Sequence, residues 1–259
     1  HYKNKITSLA GGRTSFDTNL YGATIHSEVG QAANLFYGYK TAGVFTTSEE
    51  AAEAGLYILG ENGVDRNYLR AGDMHFVDRD GDHQITEADR MVIGDPNPDL
   101  YGNIFTSLNY KRFRLDVNFN YSLGNDVYNY MRSQLEGGNR FLNQTTAMTT
   151  RWQTEGQVTT MPKATFQDPM GNSRFSDRWI EDGSYLRLKT VTLSYTLPLH
   201  STFLQGLQFW IQANNLFTVT KYLGSDPEFT MTGNVLGQGI DLGQLPQCRS
   251  FVAGVKVNL

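Results

Sequence analysis

The chain holds a single cysteine, Cys248, so no disulfide can form within it, and a lone thiol fits a structural filler as well as any other role. It has no run of about 20 apolar residues, which excludes a transmembrane helix. That absence leaves a barrel open, because barrel strands hide half their residues from lipid. A basic face is missing as well. The formal net charge is −4, whereas a nucleic-acid partner asks for a positive surface, so none is expected. Catalytic signatures are scarce. The 5 histidines (His1, His26, His75, His83, His200) are scattered and no G-x-S-x-G nucleophile motif occurs. The acids Asp177, Glu181 and Asp182 read as a solvated loop, so no enzyme is expected. Nor does a signal peptide open the chain, since His1-Tyr2-Lys3 leads into no apolar segment. An exported protein with this sequence is expected to begin further upstream.

Alternation is what the sequence does have. Phe113, Leu115, Val117, Phe119, Tyr121 and Leu123 alternate without a break against Arg114, Asp116, Asn118, Asn120 and Ser122. Side chains of a strand point to opposite faces with a period of two, so one face is wholly apolar and the other wholly polar. The length suits the roughly 9–11 residues that a tilted strand needs to cross a bilayer. The end of the chain repeats the pattern. Phe251, Ala253, Val255, Val257 and Leu259 alternate there with Ser250, Gly254, Lys256 and Asn258, with Val252 the one break.

Six long strands are expected: Tyr2–Leu9, Tyr101–Tyr110, Phe113–Leu123, Tyr185–Leu197, Leu207–Phe217 and Arg249–Leu259. Their connections are lopsided. Lys111-Arg112 and the Pro198–Gly206 turn are short, whereas Gly124–Ser184 and Thr218–Cys248 are long and rich in Gly, Asn, Gln and Pro. Short turns at one end and long loops at the other belong to barrels with periplasmic turns and extracellular loops, and an even strand count puts the C-terminus in the periplasm. Leu186 and Leu188 are out of phase with Val191, Leu193, Tyr195 and Leu197, which predicts a bulge near Lys189. So few strands cannot close a barrel, because the smallest bacterial ones use about eight. An open edge in lipid would leave backbone groups unpaired, so the chain must pair with strands that it does not contain. The fold expected is all-β: the C-terminal strands of a large antiparallel transmembrane β-barrel with long extracellular loops, in a bacterial outer membrane. A soluble β-sandwich also alternates its faces, but its strands are usually about 5–6 residues and its turns need not sort by end.

Residues 10–99 are too many for a periplasmic turn and read as a folded extracellular excursion between the strand at 1–9 and the five strands of 100–259. Ser48-Glu49-Glu50-Ala51-Ala52-Glu53-Ala54 predicts a short helix capped by Ser48, with acids in its first turn and Gly55 as its stop. Ala33–Phe45 and Asp73–Val77 predict short strands. Between them and the wall, residues 78–89 set out oxygen ligands as an EF-hand loop does. Asp78, Asp80 and Asp82 take the first, third and fifth places, Gln84 offers its backbone carbonyl at the seventh, Thr86 sits at the ninth, and Asp89 closes at the twelfth. Ile85 is the apolar eighth residue that ties such a loop down. Hard oxygen ligands at this spacing suit Ca2+. His83 stands where glycine usually makes the sharp turn and must take a left-handed backbone there. Asp89, shorter than the usual glutamate, would bind through one oxygen. Without a pair of flanking helices the loop reads as a structural calcium clip rather than a sensor; the other reading is an acidic turn with no ion.

Several stretches in order resemble one family. They are Phe36-Tyr37-Gly38-Tyr39-Lys40-Thr41-Ala42-Gly43-Val44-Phe45 with Glu49-Glu50-Ala51, then Ala71-Gly72-Asp73, the metal-like loop, Asp89-Arg90 and Ile93-Gly94. Pro96, Pro98-Asp99-Leu100-Tyr101-Gly102-Asn103, Tyr110-Lys111-Arg112-Phe113-Arg114-Leu115, Asp182-Gly183-Ser184-Tyr185-Leu186-Arg187-Leu188-Lys189 and Gln212-Ala213-Asn214-Asn215-Leu216-Phe217 follow. The set resembles the C-terminal part of the SusC/RagA family of TonB-linked outer-membrane transporters. That resemblance implies a plugged barrel of about 22 strands, a SusD-type lipoprotein lid, energy from the TonB complex through an N-terminal part, and oligosaccharide or peptide substrates. Leu259 departs from the terminal phenylalanine common in outer-membrane strands.

Nutrient import is therefore the first functional reading. Trp152, Phe166, Phe175 and Trp179 lie in the long loop among Asn and Gln, and aromatic faces with amide hydrogen bonds suit sugar rings or a peptide. Trp152, Phe175 and Trp179 are the candidate substrate-binding residues. The alternative is that these aromatics pack the loop against itself or against the lipoprotein, because large loops need cores of their own. Arg114, Asp116, Asn118 and Asn120 face the lumen, where they meet either solute or a plug. The second functional reading is a secreted, calcium-clipped β-rich module that binds glycans or a protein.

Overall fold

The computed structural model of the chain describes residues 4–199, 206–229 and 234–258. Five long strands form one wall: β1 (Leu100–Tyr110), β2 (Phe113–Leu123), β3 (Tyr185–Leu197), β4 (Gly206–Asn214) and β5 (Ser250–Asn258). They pair in that order, each antiparallel to the next, and Thr218–Thr220 adds a short rung against Tyr185–Arg187. Pairing in register carries the alternation of each strand across the sheet. Tyr110, Phe113, Tyr195, Phe209 and Val255 lie in one row, and Leu108, Leu115, Leu193, Ile211 and Ala253 lie two residues further along. On this face Tyr110, Ile211 and Val255 are 69%, 59% and 56% exposed, so nothing among the described residues covers the apolar side. The other face carries a ladder of amides and hydroxyls, with Phe105, Trp210 and Val252 among them. Asn103 donates to Asn118 and, at 2.6 Å, to Asn120; Thr192 donates to Gln212 at 3.2 Å, Gln212 to Asn214 at 2.8 Å, and Asn214 to the Ser250 hydroxyl at 2.9 Å.

Where β2 meets β3 the register jumps from Asn118 opposite Thr190 to Phe119 opposite Leu188, leaving Lys189 bulged out, as its phase slip predicts. The bulge serves the next strand. β4 ends at Asn214 rather than at Phe217, because Asn215 turns to a positive φ of 52° and its N–H bonds to the Lys189 carbonyl at 2.9 Å. Between β1 and β2, Lys111 takes a positive φ of 53° to close a two-residue connection. Most of the turn expected at Pro198–Gly206 lies outside the described residues, as do Leu259 and the Tyr2-Lys3 start of the first expected strand.

That first strand does not form over residues 4–9. A strand forms only where a neighbouring ladder takes its backbone groups, and here Ile6 is held by backbone bonds to Gly30 and Gln31 instead. Its N–H donates to the Gln31 carbonyl at 2.9 Å and its carbonyl accepts from Gly30 N–H at 2.8 Å. β1 and β5 are consequently the two open edges of the wall among the described residues.

The long connections fold into a layer at the far end of the wall. Ser15–Leu20, Ala23–Glu28, Leu35–Gly38 and Met91–Gly94 form an antiparallel sheet, and Thr41–Val44 pairs with Met74–Phe76. α1 (Ser48–Ala54) is capped by Thr47, whose hydroxyl accepts from Glu50 N–H at 3.1 Å, and not by Ser48. An N-cap residue keeps an extended backbone; Thr47 has it (φ −130°), whereas Ser48 is already helical and turns its N–H and hydroxyl to Glu155. Gly55 ends the helix at a φ of 63°. The loop from Gly124 holds a helix that the composition hides, α2 (Tyr130–Glu136), capped by Asn129. One core collects Phe45, Met74, Phe76 and Ile85. The other joins Ala23, Ile25 and Phe36 of the excursion to Tyr128, Trp179 and Ile240 of both long loops, so excursion and loops share a single interior.

Candidate metal loop and binding surfaces

The Asp78–Asp89 loop is built from backbone hydrogen bonds to its own acids. Asp78 accepts from Gly81 N–H at 2.8 Å and His83 N–H at 2.9 Å, and Asp82 accepts from Gln84 N–H at 2.7 Å. His83 takes the left-handed conformation that the sequence requires of it, at a φ of 62°. Ile85 is buried, and its N–H donates to the Tyr57 carbonyl at 2.9 Å while Tyr57 N–H donates to His83 at 2.9 Å, pinning the loop to the strand Tyr57–Leu59. Asp78, Asp80 and Asp82 converge, each offering a carboxylate oxygen within 4.8 Å of the others. Burial raises the Asp78 carboxyl, but the N–H donors of His83 and Gly81 outweigh it and hold it below the ordinary value. Asp80 is raised, by desolvation first and then by the charges of Asp82, Asp89 and Asp78, with the Asp82 N–H opposing. Among the described residues no lysine, arginine or histidine forms an ion pair with the three acids.

Asp89 is brought in differently from the expectation. It is wholly buried, and its two oxygens accept from Arg79 N–H at 2.8 Å and Thr86 N–H at 2.7 Å, the second as half of a capping box over Glu87–Asp89. It clasps the loop shut. The Gln84 amide oxygen lies 3.3 Å from the Tyr57 hydroxyl, and no N–H donates to the Gln84 carbonyl among the described residues. The residues present thus fit a hard divalent cation held by three carboxylates and one carbonyl.

Of the aromatic candidates Trp179 is buried, whereas Trp152 and Phe175 are half-buried against the two cores and Phe175 also lines a small cavity beside the end of α2. Trp179 is 0% exposed at the centre of the shared core, its indole N–H donating to the Arg174 carbonyl at 3.1 Å. Arg178 lies 4.2 Å above its ring, with burial and then Arg132 lowering that guanidinium to about 10. Phe175 packs edge-on against Tyr128 (4.9 Å) and Phe36 (6.3 Å). Trp152 seals the other core, its N–H on the Thr46 carbonyl at 3.2 Å. Phe166 alone of the four stays largely exposed, stacked on Phe141 at 4.9 Å.

One ion-pair cluster escapes the sequence reading. At the bulged end of β3, Arg187 is 3% exposed and pairs with Asp226 and, at 2.9 Å, with Glu228; Lys189 reaches Glu228 at 3.2 Å. Gln247 N–H closes on Asp226 at 2.9 Å. These contacts fasten the second long loop over the polar face of the wall. The only trace in the sequence is Arg187 and Lys189 in a strand with acids at Asp226 and Glu228 far downstream, a pairing that separation conceals.

No protein-family model matches the chain. It is 31% identical over 98% of its length to TonB-dependent receptor P3 of Formosa agariphila, covering 25% of that receptor. It is 26% identical over 98% of its length to TonB-dependent receptor SusC of Bacteroides thetaiotaomicron, covering 23% of it. Among solved structures, the RagAB peptide importer in its open-open state superposes with a TM-score of 0.69 at 25% identity, over 98% of this chain and 25% of that one. The chain spans about a quarter of the length of the curated relatives it matches.

Proposed function

Because the chain is homologous to the C-terminal part of SusC/RagA-family TonB-dependent receptors, we propose that it is a wall segment of an outer-membrane nutrient importer. In this reading β1–β5 cross the bacterial outer membrane with the apolar rows to lipid and the amide ladder to the lumen. The layer of loops is extracellular and the C-terminus periplasmic. The observation that carries it is the apolar face left uncovered among the described residues, continuous across five strands, while the opposite face is mainly polar and interrupted by Phe105, Trp210 and Val252. A SusD-type lipoprotein would cover the loop layer, and the TonB complex would drive import through a part of the receptor outside this chain. Oligosaccharides are the proposed substrates. A peptide substrate is the second reading, favoured by the likeness to a peptide importer.

Calcium belongs to the same proposal. A Ca2+ ion held by Asp78, Asp80, Asp82 and the Gln84 carbonyl would offset the mutual repulsion of the three acids and clip the loop against Tyr57. Its role is structural.

The test is expression of the complete receptor with its neighbouring lipoprotein in a host lacking both. TonB-dependent uptake of labelled oligosaccharide supports the reading, and uptake of peptide alone moves it to the second. Should residues 1–259 fold cooperatively as a soluble monomer without detergent, the wall reading fails and a secreted binding module takes its place.

A further inference from the structure

Beside the end of α2, the turn at Tyr21 and the loop layer enclose a cavity of about 190 Å3 whose lining includes Tyr21, Ser133, Gln134, Asn139, Arg140, Ser173 and the half-buried Arg174. Its polar groups are held in place. Asn139 donates to the Ser173 hydroxyl at 2.9 Å, and the Ser133 hydroxyl donates to the Tyr130 carbonyl at 2.7 Å and meets Tyr128 OH at 3.1 Å. Arg140 differs from its neighbours. Arg132, Arg174 and Arg178 are all tied to carboxylates, carbonyls or rings, whereas Arg140 is exposed and has no hydrogen-bond or ion-pair partner among the described residues. The next residue, Phe141, is 91% exposed, and its ring stacks at 4.9 Å and 28° on Phe166, itself 58% exposed. Gln167 N–H donates to the Asn139 carbonyl at 3.0 Å, which fixes the Phe166 segment next to the cavity. A free cation, a set of amides and hydroxyls, and a bare aromatic platform therefore stand together at the edge of the core that lends Tyr128 and Phe175 to the cavity wall.

We propose that this cavity and the Phe141–Phe166 platform beside it bind one anionic sugar unit of a glycan, with a carboxylate or sulfate group on Arg140, ring hydroxyls on Gln134, Asn139 and Tyr21, and an apolar ring face against the platform. The proposal rests on the oligosaccharide reading for its substrate class. The volume is small for an extended ligand and suits a single ring. A guanidinium offers the planar fork that carboxylate and sulfate oxygens accept in pairs. Peptides are commonly captured along an unpaired strand edge, and the residues lining this cavity come from a turn, a helix end and loops.

The experiment is titration of the complete, detergent-purified receptor with four probes: oligogalacturonate, a chondroitin sulfate oligosaccharide, an uncharged malto-oligosaccharide and a glutamate-rich peptide. Either acidic glycan should bind more tightly than the neutral one, and which of the two prevails identifies the anion. Arg140→Gln should weaken the acidic glycan by about tenfold or more and leave the neutral one unchanged. Phe141→Ala should weaken both glycans. Equal binding of charged and neutral glycans, an Arg140→Gln receptor that keeps its preference, or no glycan binding at all would overturn the site. Tighter binding of the peptide would overturn it in favour of an acidic peptide. Binding without uptake in cells would count against the importer reading while leaving this site standing.

Discussion

Asn172 reaches across 99 residues of sequence to hold Asp73. Its amide N–H donates to the Asp73 carboxylate at 2.9 Å, and its carbonyl oxygen accepts from Met74 N–H at 2.8 Å. Asp73 is wholly buried, and its other oxygen takes Arg70 N–H at 2.8 Å and the Lys163 ammonium at 3.0 Å. The excursion and the first long loop are thus joined by one satisfied polar knot, because a buried carboxylate is tolerated only when its oxygens are all engaged.

Replacing Asn172 by alanine should therefore cost about 2–3 kcal/mol, since it strands a buried carboxylate oxygen and a backbone N–H together. Denaturant unfolding of the receptor's loop layer, followed by tryptophan fluorescence, would read it. A loss under about 0.5 kcal/mol would mean that water replaces the amide without penalty.

Gly72→Ala should destabilise the same region. Gly72 has a φ of +83°, and a Cβ there would come within 2.5 Å of the Trp152 ring. Left-handed strain alone is worth about 1 kcal/mol, and displacing Trp152 adds to it. Proteolysis should open the loop around Trp152 first; an unchanged cleavage pattern would show that the ring moves aside freely.

Asp80→Asn and Asp89→Ala should separate ligand from clasp. Asp80→Asn is expected to abolish Ca2+-dependent protection against heat while leaving the calcium-free protein unchanged. Asp89→Ala leaves two backbone N–H groups without their acceptor and should lower stability with or without the ion. Melts recorded with Ca2+ and then with a chelator distinguish them; identical wild-type melts in both conditions would remove the calcium clip.

Ile211→Arg, in the middle of an apolar row, should cost about 2–4 kcal/mol of barrel stability. Gln212→Arg, its neighbour on the polar face, should be tolerated. Heat-modifiable mobility of the assembled receptor on gels reports the difference, and equal tolerance at both positions would contradict the assignment of faces.

The Asp126 carboxyl is raised, by burial first and then by the charges of Asp95 and Asp182, against a lowering bond from Asp95 N–H. In the window between the ordinary carboxylate value and the raised one, the folded state holds a proton that the unfolded state has lost. Stability from this group must then fall as pH rises through that window and stay lost above it. Asp126→Asn should flatten that part of the profile, because an amide oxygen can still accept from Asp95. A variant whose melting temperature tracks wild type from acid to neutral pH would exclude the effect.

Much of the wall was legible in the sequence for a local reason. A period of two is written residue by residue, so β2 and β3 begin and end where their alternation does, and the phase slip at Leu188 announced the bulge at Lys189. The left-handed turn at His83 was legible too, because the spacing of the acids in the loop leaves that position no other backbone. What the sequence by itself could not decide was which groups are already engaged. The strand expected over Tyr2–Leu9 does not form at residues 4–9, since a ladder needs a partner that local sequence does not specify. Trp179, Phe175 and Trp152 look like Phe166 on the page, yet Trp179 is buried, Phe175 and Trp152 are half-buried and Phe166 is bare, because burial depends on what the rest of the chain brings against each ring. Asp89 reads as a ligand and folds as a clasp for the same reason, and the Arg187–Asp226–Glu228 cluster exists only once the loop has closed over β3. Alternation fixed the two faces of the wall; long-range packing decided which side chains were left free to meet anything else.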